Sequence, residues 1–578
     1  LPHTSPSEPG LRIGELSRIP YLSRQLIAYI GNKRGLLPYL AEAFTELERR
    51  HAVRTFLDPF AGSGAVSRLA RYLGYEVYAN DWEFYSWILV SCALTIGASE
   101  LPTLFRGQGG LDAALGLLNA GTLPQRAEYI SRHYAPHDTA HADYRTERLF
   151  YTRENALFID RVRETIELWY PGWELDGTAK KEKLILLSAL LYETATHANT
   201  SGVFKACHKG FGGHGKDALS RILSPMRLEP PPLIDRDAPS FVTTLDAEEF
   251  CKGRSADLCY LDPPYTIHQY GSNYFMLNTV AKWDRPPVSD ERTSSGRLKE
   301  KAGIRPDWKK TKSAFCYART APQAMRGLID SIDARFICLS YNTEGLVPLE
   351  ELLEIMSRRG RVELFSREYT KYRGGKQSIS RVVNNLELLL VVTTTESAGR
   401  AAAAGSLHRT LAARRIAALL SRGFHPARLI ESFGRDGNDG VVLWSGSLER
   451  GSPEHRIVAR TERFYRMTAI EGELQTLSAD ALSELERKIA HALCRDRLEE
   501  CRVLVSILER ELDARERVKY GRRFLTLLRK FAFRKYRAEF SAMLEEMKKK
   551  TAAEPEKFGG LSEGLSELER LATLRFNG

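Results

Sequence analysis

The run VRTFLDPFAGSGAVSRLARYLG (53–74), followed directly by YEVYAND (75–81), constrains the fold more than any other part of the sequence. A short apolar strand gives way to a loop carrying Gly62 and Gly64. An amphipathic helix and a second strand follow, and that strand ends in an acid. Strand, loop, helix and strand in this order open a parallel α/β sheet. Further strand-like segments continue it: FVTTLDAEEF (241–250), ADLCYLDPPY (256–265), ARFICLSYNTEG (334–345), RVELFSREY (361–369) and VNNLELLLVV (383–392). IAYI (27–30) reads as one more strand ahead of them.

Between about 100 and 240 the pattern turns helical. TRENALFIDRVRETIELWY (152–170) sets Ile159, Val162, Ile166 and Trp169 on one face, and EKLILLSALLYETATHANT (182–200) reads as a more buried helix. Because strands resume afterwards, this block is an insertion into the α/β domain. TTTESAGRAAAAGSLHRT (393–410) reads as a linker. Beyond it lie an expected hairpin in DGVVLWSGSLER (439–450) and long helices from about 479 to 550. The expected organisation is an N-terminal extension (1–23), an α/β domain (24–394) with the insertion at 100–240, a linker (395–410) and a mostly helical C-terminal domain (411–578).

At 578 residues, with 43% hydrophobic content, the chain is expected to form a multidomain globular protein. Its longest apolar runs, LILLSALLY (184–192) and LELLLVV (386–392), fall well short of the roughly 20 residues that span a bilayer. No signal-peptide pattern opens the sequence. The eight cysteines are scattered without a C-x-x-C pair, which suits a reducing cytoplasm and speaks against a disulfide framework. Cys207, His208 and His214 are three ligand types without a fourth, so no metal is expected. A net charge of +11 is compatible with a polyanionic partner.

Two motifs carry chemistry. In DPFAGSG (58–64) the two glycines let the backbone approach a ligand at a strand-to-helix turn, and Asp81 ends the next strand where an acid can bind both hydroxyls of a ribose. An adenosine cofactor fits that arrangement, although the third glycine of a dinucleotide fingerprint is missing and a plain tight turn would use the same residues. The second motif is DPPY (262–265). Two prolines stop a buried strand abruptly, since proline offers no N–H to a ladder and restricts the residue before it. Asp262 and the Pro263 carbonyl are then two acceptors at a strand's carboxyl end, suited to an exocyclic NH2 group. Pro264 locks the turn and Tyr265 offers a face for stacking a base.

Taken in order, YIGNK (29–33), DPFAGSG (58–64), the insertion and DPPY (262–265) resemble the Dam-like, D12-class (α-group) N6-adenine methyltransferases of restriction–modification systems. QYGSNYFMLNTVAKWD (269–284) and LSYN (339–342) extend the resemblance, which covers about 24–394. It implies a Rossmann-like mixed sheet, S-adenosylmethionine as cofactor and double-stranded DNA as substrate. Tyr29, Asn32, Lys33, Asp58, Phe60, Gly62, Gly64 and Asp81 would serve the cofactor, and Asp246 would contact its adenine. Asp262, Pro263, Pro264 and Tyr265 would form the catalytic edge.

For DNA contact the candidates are Gln269, Tyr270, Asn273 and Tyr274, expected as a lid. Lys371, Arg373 and Lys376 lie between two late strands, and Lys309, Lys310 and Lys312 form a further basic cluster. The densest basic run, RERVKYGRRFLTLLRKFAFRKYR (515–537), has ten Lys/Arg against one acid, with Phe524, Leu528 and Phe531 as an apolar stripe. A cognate restriction endonuclease is the implied partner, and oligomeric state is not readable. Two other readings stay open: an RNA N6-adenine methyltransferase, and a non-catalytic DNA-binding partner with a methylase fold.

Overall fold

The computed structural model describes residues 13–213, 218–365, 387–397, 400–447, 454–467, 471–474 and 476–577. They divide into two compact units, the first holding the described residues up to 397 and the second those from Arg400 onward.

The first unit is built on seven strands: β1 (Thr55–Asp58), β2 (Glu76–Asn80), β3 (Ser240–Thr243), β4 (Ser255–Leu261), β5 (Asp333–Asn342), β6 (Arg361–Leu364) and β7 (Glu387–Thr393). Their order across the sheet is β3-β2-β1-β4-β5-β7-β6. All pairs from β3 to β5 are parallel, whereas β7 runs antiparallel to both β5 and β6. The chain winds outward from β1 to β2 and β3 on one side, then returns to lay β4 on the other. A parallel sheet of this kind opens a crevice at that switch point, at the carboxyl ends of β1 and β4. Those ends carry DPFAGSG and DPPY.

Local sequence explains the elements. The helix Ala65–Leu73 starts from Gly64 and stops at Gly74, both with left-handed φ of 77° and 93°. β4 buries Leu258, Cys259, Tyr260 and Leu261, and ends where the prolines remove the next ladder donor. Within the insertion, Thr152 caps the helix Arg153–Trp169 and Asp176 caps Gly177–Thr196. The latter is buried on nearly every side, packed against Phe84–Thr95 and Phe275–Lys282, so the insertion shares a core with the helices of the seven-stranded sheet. Arg163 from the insertion, fully buried, donates to the Val280 carbonyl at 2.8 Å.

Several expectations change. Residues 13–23 are not an extension: Leu16, Tyr21 and Leu22 are buried in the sheet's core, and Tyr21 donates to the Ala93 carbonyl at 3.0 Å. IAYI (27–30) forms no strand, because its polar backbone is served by side chains. The Ile30 N–H donates to Tyr274 Oη at 2.7 Å, and Asn32 donates to the Ile27 carbonyl at 2.9 Å. The expected linker ends early, since Arg400–Leu420 is one helix.

The second unit combines helices with a small antiparallel sheet, β8 (Gly440–Ser447), β9 (Glu454–Glu462) and β10 (Arg466–Met467). The hairpin expected inside 439–450 is therefore only its first arm. Gly446 does not turn the chain; it leaves room for the indole of Trp444, which a Cβ there would meet at 2.9 Å. The basic run 515–537 is not a single helix either, since Ala514–Leu528 gives way to short 3-10 turns at Arg529–Phe531 and Arg534–Tyr536. Among the described residues no helix is long and apolar enough to cross a membrane.

Candidate active site

A cavity of about 550 Å³ opens at the switch point between β1 and β4. One wall is the loop after β1. Gly62 adopts a φ of 53°, and a Cβ there would sit 2.9 Å from Tyr29 Cε1, so glycine is required both by conformation and by space. The Gly62 N–H donates to Asp81 Oδ2 at 2.8 Å, and the Gly62 carbonyl accepts from Ser86 Oγ at 2.6 Å. Asp81 also accepts from the Glu83 N–H at 2.9 Å, and burial pushes its carboxyl up to about 6. Asn80 ties the loops together, donating to the Leu245 carbonyl at 3.0 Å and accepting from the Leu245 N–H at 2.8 Å.

Asp58 lies deeper, 1% exposed, accepting from Ser67 through Oδ2 while its buried Oδ1 has no partner; burial pushes it up to about 7. Asp246 lines the cavity while capping the helix Ala247–Cys251, where Oδ1 accepts from the Glu248 and Glu249 N–H groups. Asn32 also lines it, but both ends of its amide serve the local turn. Tyr29 belongs to a buried aromatic stack, its ring 4.7 Å from Tyr274 and 5.1 Å from Tyr270.

The DPPY edge is organised by charge. Lys33, 4% exposed, places Nζ 2.8 Å from Asp262 Oδ1 and 2.7 Å from Glu387 Oε1. Ser340 and Asn342, from LSYN, each donate to Glu387 at 3.3 Å. Glu387 reaches this spot because β7 is antiparallel: its first residue pairs with Asn342, the last of β5, at the same sheet edge as DPPY. Burial and the neighbouring Glu387 raise Asp262 to about 6, with Lys33 opposing them. Glu387 is held below the usual carboxylate range: burial works against this, but Lys33 and the donors of Asn342 and Ser340 outweigh it. Tyr265 packs edge-on against Tyr341, 5.6 Å between centroids, and its carbonyl accepts from the Leu346 N–H at 3.1 Å.

The opposite wall is a strap, Thr311–Phe315. Phe315 stands edge-on to Phe60 at 5.5 Å. Gln269 clamps this strap with a two-bond amide pairing, donating to the Ser313 carbonyl at 3.1 Å and accepting its N–H at 2.9 Å. Gln269, Asn273 and Tyr274 are thus buried in the protein instead of facing outward as a lid, and Tyr270 lines the cavity with its hydroxyl on the Ile30 carbonyl. Lys309 and Lys310 are exposed beside the strap, and Lys312, also exposed, belongs to the strap and lines the cavity. Lys371, Arg373, Lys376 and His214 lie outside the described residues. Among the described residues no group of three or more His, Cys, Asp or Glu is placed to hold a metal.

Sequence reasoning missed Glu387 and Phe315. A lone acid inside the apolar run LELLLVV was the available signal for the first, since an unpaired charge is rarely tolerated in a buried strand.

Comparison with known proteins agrees with this geometry. The model of the D12 class N6 adenine-specific DNA methyltransferases matches residues 29–292. The type II methyltransferase M.NlaIII of Neisseria lactamica is 30% identical over 355 residues, which cover 60% of this chain and 93% of its own. M.CviAII of Paramecium bursaria Chlorella virus 1 is 27% identical over 363 residues, 62% of this chain and 96% of its own. The modification methylase StsI of Streptococcus sanguinis is 30% identical over 365 residues, but only 50% of it is covered. No solved structure gives a significant match. With DPFAGSG and DPPY side by side at the switch point, the chain belongs to the D12 class of N6 adenine-specific DNA methyltransferases.

Proposed function

We propose that this enzyme methylates N6 of an adenine flipped out of duplex DNA at a specific sequence, as the modification half of a restriction–modification system. The observation that carries the residue roles is the Lys33 bridge between Asp262 and Glu387 at the end of β4.

The cavity suits S-adenosylmethionine. Gly62 lets the loop close against Tyr29 at the cavity wall, Asp81 keeps carboxylate lone pairs for a ribose, and Asp58 Oδ1 is a buried acceptor without a partner. Two carboxylates sharing one ammonium leave a net negative charge, matching a cation. When bound, the cofactor supplies an electrophilic methyl group on a sulfonium. Tyr29, Phe60, Gly62, Gly64 and Asp81 would hold it, with Asp246 at its adenine and Lys33, Asn32 and Asp58 supporting the walls.

The chain's own chemistry concerns the amine. The N6 lone pair is delocalised into the adenine ring, so the amine is a weak nucleophile. Lys33 occupies Asp262 Oδ1, which leaves Oδ2 and the Pro263 carbonyl to accept the two N6–H bonds. Accepting both favours a more tetrahedral nitrogen and stabilises positive charge as it develops there. Asp262 acts as a hydrogen-bond acceptor and needs no great basicity, since an N6 ammonium is acidic enough to lose its proton to water. Holding the amine against a fixed partner removes the entropy of encounter. Flipping costs a few kcal/mol of lost stacking, which Tyr265 and phosphate contacts by Lys309, Lys310 and Lys312 offset.

Asp262→Ala tests this reading. Tritium transfer from labelled cofactor to DNA should fall at least a thousandfold (roughly 4 kcal/mol or more of lost transition-state stabilisation). Calorimetric cofactor affinity should fall by far less than the methylation rate, since Asp262 is one of the two carboxylates that favour a cation but the rest of the cavity is untouched. Methylation near the wild-type rate would overturn the assignment. Expression in a host lacking other methylases, with single-molecule reading of modified adenines, identifies the target sequence.

A further inference from the structure

A complete type II methyltransferase is matched by about three fifths of this chain, and the family model ends at residue 292, inside the first unit. The second unit lies wholly outside the residues that the family model matches. It also carries most of the excess charge: residues 400–578 hold 34 Lys/Arg and 26 Asp/Glu, +8 of the chain's +11.

Part of the basic complement lies along one helix. The helix Ala514–Leu528 buries Tyr520, Gly521, Phe524, Leu527 and Leu528. Its inner face is locked by contact with the following segments: a Cβ on Gly521 would meet Leu561 Cδ2 at 2.7 Å, and one on Gly564 would meet Leu525 Cδ1 at 2.4 Å. Other basic residues of this helix are already engaged. Lys519 pairs with Glu462, Arg523 with Glu500, and Arg517 donates to the Leu512 and Lys557 carbonyls. Arg515, Arg522 and Arg529 are different. They are exposed, have no acidic partner among the described residues, and recur every seven positions, a spacing that drifts only about 20° per step around a helix. Arg529 keeps helical backbone angles as the C-cap, so the stripe runs unbroken for about 21 Å. Arg534, Lys535 and Arg537, which follow in the chain, are exposed as well.

We infer that this arginine stripe is a second DNA-binding surface, which grips the phosphate backbone without reading sequence and adds affinity to that of the catalytic unit. Choosing DNA over another polyanion rests on the methyltransferase reading. The physical requirement itself is general: a rigid row of unpaired guanidiniums releases counterions when each meets a phosphate.

The test uses the full chain with Arg515→Gln, Arg522→Gln and Arg529→Gln combined, and poly(dG)·poly(dC), a duplex with no adenine to methylate. Fluorescence anisotropy between 50 and 200 mM NaCl should show a salt slope shallower by about 2.7, so that wild-type affinity falls about 40-fold more than the variant's over that range. The corresponding triple lysine variant should keep the wild-type slope, and kcat on saturating adenine-containing DNA should be unchanged in both. Equal slopes for wild type and the glutamine variant would overturn the inference, as would a change seen only with double-stranded RNA. If the wild type grips poly(dG)·poly(dC) steeply yet methylates no DNA, the surface stands and the methyl-transfer reading falls.

Discussion

Glu387→Gln removes one charge from the catalytic edge while preserving its shape, and the structure fixes the direction of the result. Lys33 Nζ lies 2.8 Å from Asp262 and 2.7 Å from Glu387, so the two bridged carboxylate oxygens are at most about 5.5 Å apart. At an effective dielectric constant near 20 their repulsion is about 3 kcal/mol, equivalent to roughly 2 pKa units. Asp262 sits at about 6, raised by burial and by Glu387, lowered by Lys33, with Tyr260, Tyr265, Tyr270 and Asp58 as the other titratable groups around it. A protonated Asp262 would donate where it has to accept, so activity falls as pH drops through that value. Taking away the Glu387 charge favours the ionised form, and the acidic limb of kcat should move down by about one to two units. The assay is methyl incorporation at saturating cofactor and DNA from pH 4.5 to 8. Saturation matters because Asp81 is also pushed up to about 6, and its protonation shows in kcat/KM for the cofactor, not in kcat. If kcat collapses while the limb stays near pH 6, Glu387 is only scaffolding and the charge argument is refuted.

Two other substitutions separate the walls of the cavity. Gly62→Ala forces a side chain into left-handed backbone and against Tyr29, a strain of about 1–3 kcal/mol; calorimetry should show cofactor affinity weakened tenfold or more, and a change under twofold would remove the loop from the cofactor site. Gln269→Ala releases both amide bonds to Ser313. Amide exchange over 306–316 should accelerate and cofactor affinity should fall by about 1–3 kcal/mol, with KM for DNA little altered; a raised KM for DNA at constant cofactor affinity would restore Gln269 to the DNA surface.

What the sequence made legible was set locally. Glycines that need left-handed φ, prolines that end a strand and an acid at a strand tip are written in a few adjacent residues, and the sheet order brings those ends to one crevice. Where long-range packing decides, sequence was silent or misleading. Gln269, Asn273 and Tyr274 are polar and aromatic, the composition of a lid, yet the insertion helices and the strap cover them. Residues 400–410 are small and polar like a linker, but alanine is the strongest helix former, and a run of it is also a helix signal.

Glu387 shows the same limit at the chemical centre. Nothing near it in sequence names a partner, and a parallel β7 would have carried it to the far edge of the sheet. The antiparallel return of that one strand delivers a carboxylate beside Asn342, within reach of Lys33. Strand direction therefore decides the charge of the site. With Glu387 present, one ammonium serves two carboxylates, and under the proposed function the spare negative charge would favour a cationic methyl donor. Without it, Lys33 and Asp262 would neutralise each other, leaving the crevice the same shape but with no charge to attract that donor.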